Sequence, residues 1–262
     1  MSRDRREWKA YAREKLRGRY YTAILGMLAV AGISFLGSMG ASILFRGNSL
    51  YALVMSQVFL FILTLIMTVF TAGLSYMYLN MARGYDYSLM DLFYLFRNHP
   101  DRVIVAGFVL SLISLVTSIP YYYVNYMTEP GNTMEEQVLW LWKCMGLLVL
   151  SLVLETVLTL PFVLVYYILA DNRETGGMEA LKISARMMKG HKLKFLLLKI
   201  SFIPWMLLSV FTLYIGLLWL LPYMDMAAVI FYMDLKGDLE QEAIEELPVY
   251  EKAVKDDYNS EA

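Results

Sequence analysis

Four charged side chains stand in stretches that are otherwise apolar: Lys143, Glu155, Lys199 and Asp225. Ionisable residues at membrane depth mark ion or solute paths, or structural charge pairs. Lys143 lies near one end of its stretch, where a long stem lets the ammonium reach water. Glu155 and Asp225 have no such escape. Pro161 and Pro222 follow or precede them closely and are expected to break their helices. A polar group beside a broken helix fits a solute site, and it fits a structural pair equally well. Counting residues from the connecting turns puts Glu155 and Lys199 at similar depth, so a Glu155–Lys199 pair is expected.

The remaining chemistry-bearing residues are few. The chain has two histidines, His99 and His191, and one cysteine, Cys144. Only Asp91 and Asp101 are near His99 in sequence, too few for a metal, so both histidines read as polar caps. Cys144 has no histidine at its expected depth to serve as a base. There is no H-E-x-x-H, no G-x-S-x-G and no phosphate-binding loop. The reading is a non-enzymatic protein with neither metal nor cofactor.

The elements that position these residues follow from composition. Of 262 residues, 58% are hydrophobic and 18% charged, and the net charge is −1. Average soluble domains are about 45–50% apolar and about 25% charged. That excludes an ordinary soluble enzyme, and the absence of excess positive charge argues against nucleic-acid binding. Six apolar spans are predicted: Tyr21–Phe45, Leu50–Ala82, Val103–Tyr126, Val138–Ala170, Phe195–Tyr214 and Leu217–Met233. Each is long enough for a helix to cross roughly 30 Å of hydrocarbon. Nearly all charge lies outside them, whereas water-exposed helices would scatter it at helical period.

Lys and Arg crowd alternate connections. The leader carries Arg3 to Arg19; Arg83, Arg97 and Arg102 follow the second span; Arg173 to Lys194 follow the fourth. The other connections are almost bare of them. The bias predicts a multi-pass cell-membrane protein with both termini cytoplasmic. The basic leader is too long, and the first apolar run too extended, for a cleavable signal, so it reads as a retained first helix in a bacterial plasma membrane.

Three segments share one plan: an amphipathic helix, a basic residue, a Gly or Asn break, then an apolar span. They are Trp8 to Gly18, Ser88 to Asn98, and Ala180 to Gly190. The fold expected is therefore an all-α integral membrane protein with six transmembrane helices in three units, each an interfacial amphipathic helix plus a helical hairpin. The units run about 1–82, 86–170 and 175–235. In the first helix Trp8, Tyr11, Ala12 and Leu16 oppose Arg6, Lys9, Arg13 and Arg17. In the third, Ala180, Ile183, Ser184, Met187 and Met188 oppose Glu179, Lys182, Arg186 and Lys189. Such faces suit a helix in the headgroup plane. The middle segment is apolar nearly all round, so it dips into the bilayer or packs beneath the bundle. The tail, 236–262, holds nine acids and three lysines and reads as a disordered cytoplasmic segment.

The run Ala180-Leu181, Ser184, Met188-Lys189-Gly190, Lys192, Phe195, Phe202, Trp205, Thr212, Gly216, Leu218-Trp219, Pro222-Tyr223 and Phe231-Tyr232 resembles the C-terminal signature of domain-of-unknown-function family 975. Lys9, Ala12, Leu16 and Gly18 resemble its N-terminal signature. Pro204 departs from the small residue expected there. The resemblance implies a bacterial polytopic membrane fold. It also implies an architectural relation to the membrane region attached to some glycerophosphodiester phosphodiesterases, which has no catalytic residues of its own. It implies no activity.

Two functional readings stand. One is a scaffold or lipid-interacting accessory factor, with Arg13, Arg17, Lys182, Arg186, Lys189 and Lys192 contacting lipid headgroups or another membrane protein. The same charges also read simply as topology signals. The other is a small-solute transporter with a polar site around Glu155 and Asp225.

Overall fold

The computed structural model describes residues 4–47, 49–239 and 241. All regular structure among them is helical. The order is α1 (Arg5–Leu16), α2 (Tyr20–Leu44), α3 (Leu50–Arg83), a 3-10 turn (Leu89–Phe93), α4 (Tyr94–Arg97), α5 (Pro100–Met127) and α6 (Met134–Thr159). A second 3-10 turn (Leu160–Phe162) leads into α7 (Val165–Asp171), α8 (Gly177–Met187), α9 (Lys192–Ile200), α10 (Ile203–Phe211) and α11 (Leu217–Lys236). Six spans are long and apolar enough to cross a membrane: Tyr20–Leu44, Leu50–Arg83, Pro100–Met127, Met134–Asp171, Lys192–Phe211 and Leu217–Lys236. They coincide with the six spans read from the sequence to within a few residues. Large apolar side chains cover the outsides of these helices: Phe35 is 67% exposed and Trp142 71%. Water would not tolerate so continuous an apolar surface, and hydrocarbon does.

The breaks in the helices have local causes. Pro161 interrupts the fourth span with a 3-10 turn between α6 and α7. Pro204 interrupts the fifth at a simple turn, since it has no N–H to continue the ladder from α9 into α10. Pro222, expected to break the sixth span, lies inside an uninterrupted α11. It removes one hydrogen bond, and the turns on either side carry the helix through, a tolerance common in apolar helices. α10 and α11 are separated by a tight turn in which Leu213 and Tyr214 both have positive φ, 51° and 65°. The Tyr214 amide donates to Ser209 at 2.8 Å and closes it. No polar loop is needed there, so the sequence marks the turn faintly. α6 begins at Met134, within the stretch read as an acidic connection. A capping box explains this: Thr133 Oγ1 accepts from the Glu136 amide, and the Glu136 carboxylate accepts from the Thr133 amide.

The chain folds as two compact units. One comprises Met1–Ile24, Tyr78–Tyr87 and Leu193–Ala262; the other comprises Leu25–Met77 and Ser88–Lys192. In the first, α11 is the central element, and eight consecutive residues, Met226 to Met233, are all buried. α1 packs against it. Trp8, 1% exposed, meets the Phe231 ring edge-on at 4.9 Å and donates its indole N–H to Asp234 at 3.0 Å. Tyr223 donates to the Lys9 carbonyl at 3.1 Å. Arg83 and Asp238 form an ion pair. Beyond this point the acidic tail lies outside the described residues, apart from Leu239 and Gln241.

In the second unit α5 and α6 pair along their length, and α7 and α8 pack at one end of α5. Ser184 on α8 ties the Pro161 break down: its hydroxyl accepts from the Leu164 amide at 3.2 Å and donates to the Pro161 carbonyl at 2.9 Å. Gly177 is required by proximity, because a Cβ there would stand 2.2 Å from the Arg102 carbonyl oxygen. Gly73 is required likewise by the Leu92 carbonyl, at 2.2 Å. The middle amphipathic segment packs on protein. Phe93 and Phe96 meet Phe70 at 5.5 and 4.6 Å, and Tyr94 stacks on Tyr76 at 3.9 Å.

Candidate functional site

The two faces expected to lie on lipid are spent largely on protein contacts. Trp8, Ala12 and Leu16 of α1 are buried, as are Ala180, Ser184 and Met188 in and just after α8. The opposite faces stay open. Arg13 and Arg17 are exposed on the first unit, and Lys182, Arg186, Lys189 and Lys192 on the second. Lys9, by contrast, is drawn inward: its ammonium donates to the Ser201 carbonyl at 3.1 Å and stands 4.1 Å from the Phe202 ring centroid. Burial, with repulsion from Arg5 and Arg13, holds it below the usual lysine pKa.

Arg13 also lines a pocket of about 310 Å³ in the first unit. Its walls are aromatic and aliphatic: Tyr20, Trp205, Leu208, Trp219, Leu220 and Tyr223. Three of its hydroxyls are already engaged. Ser209 donates to Met206, Thr212 donates to Ser209 and accepts from the Gly216 amide, and Tyr223 donates to Lys9. Among the described residues lining it, Arg13 carries the only charge. Trp205 and Trp219 are 59% and 52% exposed, so the walls remain open. The result is a guanidinium at an apolar slot, a shape suited to an amphiphile with an anionic head.

The intramembrane charges are arranged differently from the sequence expectation. Lys199 on α9 and Asp225 on α11, both half-buried, are near enough for each charge to be felt by the other, without a direct ion pair between them. Glu155, the partner expected for Lys199, belongs to the other compact unit. Depth counted along a straight fifth span also ignored the break at Pro204, between α9 and α10. Lys199 also stands 5.7 Å from the Phe195 ring centroid.

Glu155, in the second unit, lines a separate cavity of about 370 Å³. Around it are Gln57, Thr64 and Thr68 of α3, Ser111, Ser114, Ser118 and Tyr122 of α5, and Tyr166 of α7. The sequence reading singled out Glu155 and missed this hydroxyl lining. The signal was present: polar residues recur at 57, 64, 68 and at 111, 114, 118, 122, spacings that share one helix face. Close approach of α3 and α5 beside Thr68, one of the lining residues, uses Gly107, whose Cβ would stand 2.6 Å from Thr68 Oγ1.

Of the other candidates, Cys144 is buried and unpaired as a thiol. His99 occupies the N-cap of α5 with φ 55°, without a capping side-chain bond. His191 follows Gly190 in the α8–α9 turn, its Nδ1 buried without a hydrogen bond. Arg102, not anticipated, is 8% exposed and donates to the carbonyls of Asn172 and Thr175 at 2.9 and 3.0 Å, which fixes the entry to α8.

Among the described residues these features define a helical protein with six helices long and apolar enough to span a membrane, which carries the Arg13 and Glu155 cavities. The chain belongs to the DUF975 family, described as proteins of unknown function, whose model matches residues 1–238. No curated protein and no solved structure matches it.

Proposed function

We propose that the protein is a non-enzymatic, lipid-interacting accessory factor of the bacterial cell membrane, which holds an anionic lipid at the Arg13 pocket. The carrying observation is the single guanidinium at the edge of a slot whose walls are Trp205, Trp219, Leu208 and Leu220. Arg13 pairs with a phosphate, and the slot takes the adjoining acyl chain, which loses nothing by leaving hydrocarbon for another apolar surface. The exposed Arg17, Lys182, Arg186, Lys189 and Lys192 add long-range attraction to anionic headgroups, about 1 kcal/mol per basic residue near the surface before screening. In this reading both termini are cytoplasmic, following the Lys and Arg bias.

The test is native mass spectrometry of the purified chain after exchange into nanodiscs of phosphatidylglycerol or phosphatidylcholine. The wild type should retain phosphatidylglycerol preferentially. Arg13→Gln and Trp219→Ala should each reduce that retention, whereas Lys182→Gln/Arg186→Gln/Lys189→Gln should lower it only modestly. Equal retention of both lipids by the wild type, or no change in Arg13→Gln, would remove the reading. Reporters fused after Ala262 and within 128–137 should signal opposite sides of the membrane.

A further inference from the structure

We propose that the Glu155 cavity is a binding site for a monovalent primary ammonium ion. Glu155 lies 21 residues into α6, whose span continues to Asp171, so its carboxylate stands well inside the apolar length of the helix. Among the described residues that carboxylate has no hydrogen-bond or ion-pair partner. An unpaired charge at membrane depth costs about 2.5–3.5 kcal/mol on insertion scales, so a partner from outside the chain has a free-energy reason to bind.

The lining states what kind of partner. Thr64 Oγ1 donates its proton to the Leu60 carbonyl at 2.9 Å, and Thr68 Oγ1 donates to Leu65 at 2.7 Å. Each oxygen then offers the cavity lone pairs only. Gln57, Ser111, Ser114, Ser118, Tyr122 and Tyr166 add oxygens that accept as well as groups that donate, and Glu155 supplies the one negative charge of the lining; an ammonium carries three N–H donors and one positive charge. Phe61 and Tyr122 line the same cavity, and ring faces attract a cation further. One carboxylate matches a monocation, not a polyamine. The volume, about 370 Å³, admits a short alkyl chain and several waters at roughly 30 Å³ each. The cavity runs from Gln57 and Tyr122, near the Leu50 end of α3 and the Met127 end of α5, to Thr68, Ser111 and Glu155. The ammonium is placed at Glu155, its alkyl chain along the cavity toward Gln57 and Tyr122. This site is independent of the Arg13 pocket, and its ligand has the opposite charge.

The experiment is calorimetric titration of the full chain in detergent with n-butylammonium chloride. Butan-1-ol, tetramethylammonium and sodium, the latter two as chlorides, serve as separate probes. The wild type should bind n-butylammonium saturably. Glu155→Gln should weaken it at least about tenfold, the loss of one charge-assisted hydrogen bond. Ser114→Ala/Ser118→Ala, which keeps the charge, should weaken it a few-fold. Tetramethylammonium, with no N–H donor, should bind at least about fivefold more weakly, and butan-1-ol should show no saturable binding. The proposal is overturned if the wild type does not bind n-butylammonium, or if folded Glu155→Gln binds it as well. It is overturned too if butan-1-ol binds equally, or if sodium binds in its place. Should Glu155→Gln fail to fold, unchanged affinity in Ser114→Ala/Ser118→Ala overturns it instead. Lipid retention at the Arg13 pocket should be the same in all these variants, so either proposal can fail alone.

Discussion

The indole N–H of Trp8 donates to the Asp234 carboxylate at 3.0 Å, joining residues 226 positions apart in the chain. It fastens α1 to the far end of α11, while the indole ring rests edge-on against Phe231. Trp8→Phe keeps an aromatic ring and removes the donor. It should destabilise the protein by about 1–3 kcal/mol, the cost of a charged acceptor losing a partner. Trp8→Ala also opens a cavity and should cost about 3–5 kcal/mol. Melting temperatures in detergent should fall in the order wild type, Trp8→Phe, Trp8→Ala.

Ser184 bridges the Leu164 amide and the Pro161 carbonyl, two groups released by the break in the fourth span. Ser184→Ala leaves both without that partner in a buried place, at a cost of about 2 kcal/mol. Hydrogen exchange should accelerate at Leu164 while the α6 interior stays protected. Unchanged exchange at Leu164 would show that the bridge does not hold the break.

Gly177 and Gly146 make opposite predictions from the same substitution. A Cβ on Gly177 would lie 2.2 Å from a backbone oxygen, which cannot swing aside, whereas nothing lies within 4 Å of one on Gly146. Gly177→Ala should sharply lower the melting temperature. Gly146→Ala, in mid-helix, should raise stability by about 0.5–1 kcal/mol.

Lys199 and Asp225 should show coupling in a double-mutant cycle. Lys199→Met and Asp225→Asn each strand an opposite charge and should each destabilise. The double variant should recover part of the loss, with a coupling of about 1 kcal/mol. Strict additivity in detergent melts would show that the two charges do not depend on each other.

Lys9 gives a pH dependence whose sign follows from its lowered pKa. Between that lowered value and about 10.5, the ordinary lysine value, the unfolded chain holds a proton that the folded chain has released. Stability attributable to Lys9 therefore rises with pH across this window and levels off above it. The difference in melting temperature between wild type and Lys9→Met should shift toward the wild type as pH rises from 8 to 10.5. A flat difference would show that Lys9 is solvated as in the unfolded chain.

Much of the architecture was legible because membrane insertion is written in one dimension. A span needs length and apolarity, and both are sums over neighbouring residues, so Tyr20–Leu44 and Leu50–Arg83 emerge from composition alone. The faces of α1 and α8 were legible for the same reason, through helical period. What covers those faces was not. Trp8, Ala12 and Leu16 look the same in sequence whether they meet lipid or α11, because both are apolar.

The sequence by itself determined six helical spans, where charge is admitted, and that Glu155, Lys199 and Asp225 need partners. Only the tertiary structure decided which partners. Lys199 and Asp225 act on each other within the first unit, and Glu155 lines a cavity with the hydroxyls of α3 and α5 in the second. Pairing depends on helix rotation and crossing, set by contacts such as Gly107 on Thr68 between residues far apart in the chain. One methyl group at such a contact changes which side chains meet, and no count along a single helix carries that information.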